Sequence, residues 1–71
     1  MSKYEVLIYW SGDDGCFIAE VPELPGCMAD GQSKMEALQN AEVIIGEWIE
    51  TARMLGRAVP EPAHMPMAAG K

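Results

Sequence analysis

The side chains able to do chemistry in this sequence are few and scattered. They are one histidine, His64, two cysteines, Cys16 and Cys27, the serines Ser11 and Ser33, and the loop carboxylates Asp13, Asp14, Glu23 and Asp30. A general base must sit within hydrogen-bond reach of its proton and be oriented by a third group. His64 stands in a Pro-, Met- and Ala-rich stretch with no such companion. Neither serine occupies a G-x-S-x-G turn, and no G-x-G-x-x-G or phosphate loop is set in a βαβ unit. A zinc site would need two ligands beyond the cysteines. Asp13, Asp14 and Asp30 have the oxygen chemistry that Mg²⁺ favours, but aspartate also favours turns through its own side-chain hydrogen bonds, and a solvated turn accounts for all three. No catalytic, cofactor or metal site is expected.

The elements that position these residues follow from periodicity. Tyr4 to Trp10 is rich in β-branched and aromatic residues, with Tyr4, Val6, Ile8 and Trp10 on one face and Glu5, Leu7 and Tyr9 on the other. Ser11 to Gly15 is a cluster of turn formers, and Cys16 to Val21 returns as a second strand. Phe17, Ala19 and Val21 share one face, leaving Cys16, Ile18 and Glu20 on the opposite one. Pro22, Pro25 and Gly26 make a loop. Cys27 to Ala29 reads as a short third strand closed by an Asp30-Gly31 turn.

Ser33 and Glu36 form the S-x-x-E capping box of a helix that starts at Lys34. Leu38, Ala41, Ile45, Trp48, Ala52 and Leu55 recur at helical spacing, and Gly56 is the C-terminal stop, giving a helix of about 22 residues. Gly46 interrupts it at a cost of about 1 kcal/mol relative to Ala, for which tolerated neutral drift, close packing on the sheet or close approach of a second chain are the candidate reasons. The expected core sets Tyr4, Val6, Ile8, Trp10, Phe17, Ala19 and Val21 against Leu38, Ala41, Ile45, Trp48 and Leu55. The fold class is α+β, a three-stranded antiparallel sheet in β-β-β-α order on one long helix, spanning residues 1–62 with a flexible tail at 63–71.

A chain of 71 residues, 49% hydrophobic and 23% charged, is one globular domain. Its core supplies roughly 3–5 kcal/mol, so an assembly partner would help it. The net charge is −6, with residues 1–31 carrying Lys3 against Glu5, Asp13, Asp14, Glu20, Glu23 and Asp30. Direct nucleic-acid binding is not expected, because it needs clustered Lys and Arg to displace counterions from phosphates. A basic protein partner is. No apolar run reaches the roughly 20 residues that span a bilayer, and no signal sequence is evident, so the expected location is cytoplasmic. There the two cysteines read as reduced, buried small hydrophobes, with a disulfide or redox pair as the alternative.

The run Phe17-Ile18-Ala19-Glu20-Val21-Pro22-Glu23-Leu24-Pro25-Gly26-Cys27, followed by Ala29-Asp30-Gly31 and a helix bearing Glu36-Ala37-Leu38, resembles the HicB-like antitoxin family over about residues 3–62. The resemblance implies a truncated, catalytically degenerate ribonuclease-H-like fold. It also implies a non-enzymatic role: binding and blocking a small basic RNA-cleaving toxin of HicA type. Many members carry a C-terminal DNA-binding module. The residues after Pro62 are too few for one, so operator binding by this chain is not expected. An orphan regulatory protein without a toxin is the alternative, and a carboxylate- and Mg²⁺-dependent nuclease rests on fold analogy alone.

Two surfaces are expected to carry the binding. The acidic loop residues Asp13, Asp14, Glu23 and Asp30 would meet the basic partner. Leu7, Tyr9, Cys16 and Ile18 would form an apolar outer patch through which the chain, or its exposed strand edge, makes a homo-oligomer.

Overall fold

The computed structural model describes residues 3–62, so the expected tail at 63–71, with His64, lies outside the described residues. Strands β1 (Leu7–Ser11), β2 (Cys16–Glu20) and β3 (Met28–Gly31) form an antiparallel sheet in the order β1-β2-β3, followed by helix α1 (Lys34–Met54). The α+β class and the β-β-β-α order are those read from the sequence. Pairing runs Leu7–Glu20 to Ser11–Cys16 between β1 and β2, and Phe17–Gly31 to Glu20–Met28 between β2 and β3.

Element ends differ from the sequence reading for local reasons. β1 starts at Leu7 rather than Tyr4, because β2 stops ahead of Pro22 and leaves nothing for the earlier residues to pair with. Instead the Glu5 N–H donates to Glu23 Oε1 at 3.4 Å, and the Tyr4 hydroxyl donates to the Pro60 carbonyl. β3 runs through Asp30 and Gly31, which are strand residues and not a turn. Gly31 has no positive φ. It is needed because a Cβ there would stand 2.5 Å from the Ala37 backbone nitrogen.

Helix α1 is capped as its sequence dictates. Ser33 Oγ accepts the Glu36 N–H at 3.1 Å, while the Glu36 carboxylate reaches back to the Gln32 N–H, one residue earlier than the usual box. At the other end Gly56, at φ +72°, donates to the Arg53 carbonyl, and Arg57 donates to the Ala52 carbonyl. That is a Schellman closure, which only a residue at ease with left-handed φ forms cheaply.

The core has two parts because α1 is longer than the sheet. Over its first half, Ala37 and Ala41 lie directly on Ala19, with Val6, Ile8, Phe17 and Ala29 around them. Small side chains here bring helix and sheet close. Over its second half, Ile45 packs on Val21, Leu24 and Cys27, flanked by Tyr4, Trp48 and Ile49. Leu24 is completely buried although it belongs to the proline loop. The loop is ordered around it: Leu24 donates to the Val21 carbonyl at 3.1 Å, Cys27 donates to the Leu24 carbonyl at 2.9 Å, and Trp48 Nε1 donates to the Pro25 carbonyl at 2.9 Å.

Two expected core residues are exposed, while Tyr4, Val6, Ile8, Phe17, Leu38 and Trp48 are half-buried around the core. The helix crosses β3 and β2 and touches β1 least, so Trp10 remains 57% exposed, edge-on to Phe17 at a centroid distance of 5.1 Å. Leu55 is the C-cap residue, past Ala52, the last buried helical position, and it stays 60% exposed. Gly46 faces solvent with nothing within 4 Å of an added Cβ, so close packing on the sheet is not the reason for it.

Candidate protein-docking surface

One helix covers one face of the sheet and leaves the other open. Strand alternation places Leu7 and Tyr9 of β1, Ile18 and Glu20 of β2, and Met28 and Asp30 of β3 on that open face. The register arranges them in two rows across the strands, Leu7–Glu20–Met28 and Tyr9–Ile18–Asp30. Leu7, Tyr9 and Met28 are 47%, 44% and 46% exposed, and Ile18 is half-buried between them. The face is therefore apolar, with two carboxylates set into it.

Cys16 departs from the expected patch. Although it has the parity of the open face, it is buried at the hairpin end of the sheet and offers no docking surface. Its thiol is pushed above the usual value by burial first and then by the Asp30 and Asp14 carboxylates. Burial likewise pushes up the Cys27 thiol, and both cysteines are free. Neither has the electropositive setting that makes a reactive thiolate.

The four expected partner-binding carboxylates separate into two groups. Asp13 and Asp14 lie at the β1–β2 hairpin tip, where Asp14 Oδ2 accepts the Ser11 hydroxyl at 2.9 Å. Asp30 lies at the same end of the sheet, since Gly31 pairs with Phe17 next to Cys16. Glu23 stands in the proline loop at the opposite end of β2, a strand of about 17 Å at 3.4 Å per residue. Among the described residues no group of three or more His, Cys, Asp or Glu side chains is placed to hold a metal ion.

The two edges of the sheet are treated differently. The Val21 N–H donates to the Cys27 carbonyl at 3.0 Å, so alternate pairs from there, Ala19–Ala29 and Phe17–Gly31, are the hydrogen-bonded ones. Met28 and Asp30 then turn their backbone groups outward. Asn40 Nδ2 on α1 caps the Asp30 carbonyl at 2.7 Å, beside a groove of about 550 Å³ between β3 and the helix, lined by Met28, Asn40, Val43 and Ile44 among others. By the same alternation Tyr9 and Leu7 face β2 with their backbone groups, while Ile8 and Trp10 turn theirs away from the sheet. Among the described residues no strand pairs with that outer edge of β1.

Sequence reasoning found Leu7, Tyr9 and Ile18 but missed Met28, because β3 was expected to stop at Ala29. Continuing the two-residue alternation through Asp30 would have placed Met28 beside them. Glu20 was assigned to the correct face without a role.

The sheet thus has one face covered by α1 and one open face that is apolar and dotted with the Glu20 and Asp30 carboxylates. The chain matches the family model described as HicB-like antitoxin of bacterial toxin-antitoxin system over residues 4–70, and it belongs to that family. It is similar to a UPF0150 protein of Thermoplasma acidophilum, 38% identical over 58 residues that make up 82% of this chain and 83% of the relative. It is also similar to a UPF0150 protein of Synechocystis, 35% identical over 58 residues covering 82% of this chain and 78% of the relative. No solved structure matches significantly. No helix among the described residues is long and apolar enough to cross a membrane.

Proposed function

We propose that this chain is a cytoplasmic antitoxin that neutralises a small basic RNA-cleaving toxin of HicA type by direct binding, without catalysis of its own. The observation that carries the reading is the open sheet face, where exposed Leu7, Tyr9 and Met28 surround Ile18, Glu20 and Asp30. Apolar area of this kind drives association when covered, and the carboxylates within it require a cationic counterpart once water is removed. A basic partner supplies both. The three strands and one helix are read here as the part of a ribonuclease-H-like scaffold that suffices for binding.

The acidic ends of the sheet act at longer range. Asp13, Asp14 and Asp30 at one end and Glu23 at the other extend the negative field of a chain of net charge −6. Such a field speeds encounter with a basic partner and is screened beyond about 8 Å at physiological ionic strength. The test is to look beside the gene for a short reading frame encoding a small basic protein and to co-express its product with this chain, followed by co-purification and growth rescue. The wild-type chain is expected to bind and rescue. The Asp13→Asn, Asp14→Asn, Glu23→Gln, Asp30→Asn variant is expected to associate more slowly and with less salt dependence. Failure of the wild type to bind or rescue rejects the role for that pair.

A further inference from the structure

We propose that the groove at the β3 edge takes an arginine side chain of the basic partner, so that the docking surface runs from the open sheet face round onto α1. The inference rests on the antitoxin reading for the partner and adds the chemistry by which that partner is held. The groove, of about 550 Å³, has apolar walls in Ile18, Met28, Val43 and Ile44 and two polar side chains, Asp30 and Asn40. Met28 and Val43 are 46% and 60% exposed, so both walls are open to an incoming side chain. A groove of this size and lining holds a ligand group by apolar contact and orients it by a few polar atoms.

The polar groups select the occupant. Asn40 Nδ2 is committed to the Asp30 carbonyl at 2.7 Å, which leaves Asn40 Oδ1 as an acceptor. The Asp30 carboxylate is a second acceptor, and among the described residues no hydrogen bond or ion pair satisfies either. Once a partner excludes water, these two oxygens require donors, and the net charge of −6 makes a cation the favoured one. An arginine meets both demands: its methylene stem lies along the apolar walls while its planar guanidinium carries enough N–H groups for a carboxylate and an amide oxygen at once. Lysine brings the charge on a compact ammonium without the planar fork. An added strand does not fit, because Asn40 holds the Asp30 carbonyl and leaves only Met28 on this edge with both backbone groups open. A second copy of this chain would bring its own net charge of −6 against the same carboxylate.

The experiment titrates the full chain with a blocked leucine-arginine-leucine tripeptide, followed by amide NMR, so its outcome is separate from that of the toxin assay. Saturable shifts are expected at Met28, Asp30, Asn40, Val43 and Ile44, with a dissociation constant of about 1–10 mM, the range that one anchoring side chain supports. Replacing the arginine of the probe by uncharged citrulline should remove saturation from that range, and replacing it by lysine should weaken binding. Asp30→Asn and Val43→Lys, both at exposed positions, should each remove saturation with unchanged thermal midpoints. No saturable shift, or saturable shifts outside the groove, overturns the proposal while leaving the toxin assay standing. A citrulline or lysine probe that binds as tightly as the arginine probe also overturns it, because the guanidinium is then not what the groove selects. Probe binding as expected beside a wild type that fails to rescue growth rejects the antitoxin role and leaves the groove as an arginine site for a different basic protein.

Discussion

Trp48 Nε1 donates to the Pro25 carbonyl at 2.9 Å, fastening the overhanging half of α1 to the proline loop directly above Leu24. This contact makes the loop part of the core. Leu24→Ala should cost about 2–5 kcal/mol, comparable with the whole stability of so small a domain, whereas Trp48→Phe, which keeps most of the packing, should cost only about 0.5–1.5 kcal/mol. Chemical denaturation midpoints check both. A Leu24→Ala variant as stable as wild type would show that the loop does not belong to the core.

Three glycines should respond in different directions. Gly31→Ala forces a Cβ to within 2.5 Å of the Ala37 nitrogen, a backbone atom that moves only with the helix, and should destabilise by about 1–3 kcal/mol. Gly56→Ala places a side chain at φ +72° and should cost about 1 kcal/mol. Gly46→Ala, on an open helix surface, should stabilise by about 0.5–1 kcal/mol. Thermal melts of the three single variants give the signs directly. A loss of stability in Gly46→Ala would mean that its surface is occupied in solution.

The thiols set a limit on the alkaline side. Cys16 and Cys27 are both raised from the ordinary value of 9.0, so the native state holds protons that the unfolded chain releases first. Their contribution is complete below that value and is lost as pH rises above it. Stability should therefore fall more steeply above pH 9.0 in the wild type than in a Cys16→Ala, Cys27→Ala variant. Equal slopes would remove the thiols from the account. Alkylation of both should also be slow in the native protein and rapid in denaturant.

Much of this architecture was legible in the sequence, and the failures share a cause. The strand alternation of Leu7, Tyr9 and Ile18 and the Ser33 cap depend on neighbours a few residues away, and pattern reading finds them. The role of Gly31 depends on Ala37 arriving from the helix, and the burial of Leu24 depends on Ile45 and Trp48 arriving from a helix more than twenty residues downstream. Trp10 looked like core because its parity is right. Only the path of α1 over β3 and β2 shows that the helix leaves it exposed, with Phe17 edge-on to its ring. Of the surface, the open face was anticipated through Leu7, Tyr9 and Ile18, while Met28 and the burial of Cys16 required the register of β3 and the hairpin end of the sheet.

The most direct measurement of the proposed antitoxin role is the affinity of the small basic protein that co-purifies with this chain for the Met28→Lys variant, determined by titration calorimetry beside the wild type. Met28 is exposed on β3, so the substitution places a cation in the open sheet face without disturbing the buried core. The account predicts an affinity about tenfold or more weaker, with an unchanged thermal midpoint, because a basic partner meets a like charge where apolar contact is required. An affinity equal to that of the wild type would contradict it and place the toxin elsewhere on the molecule.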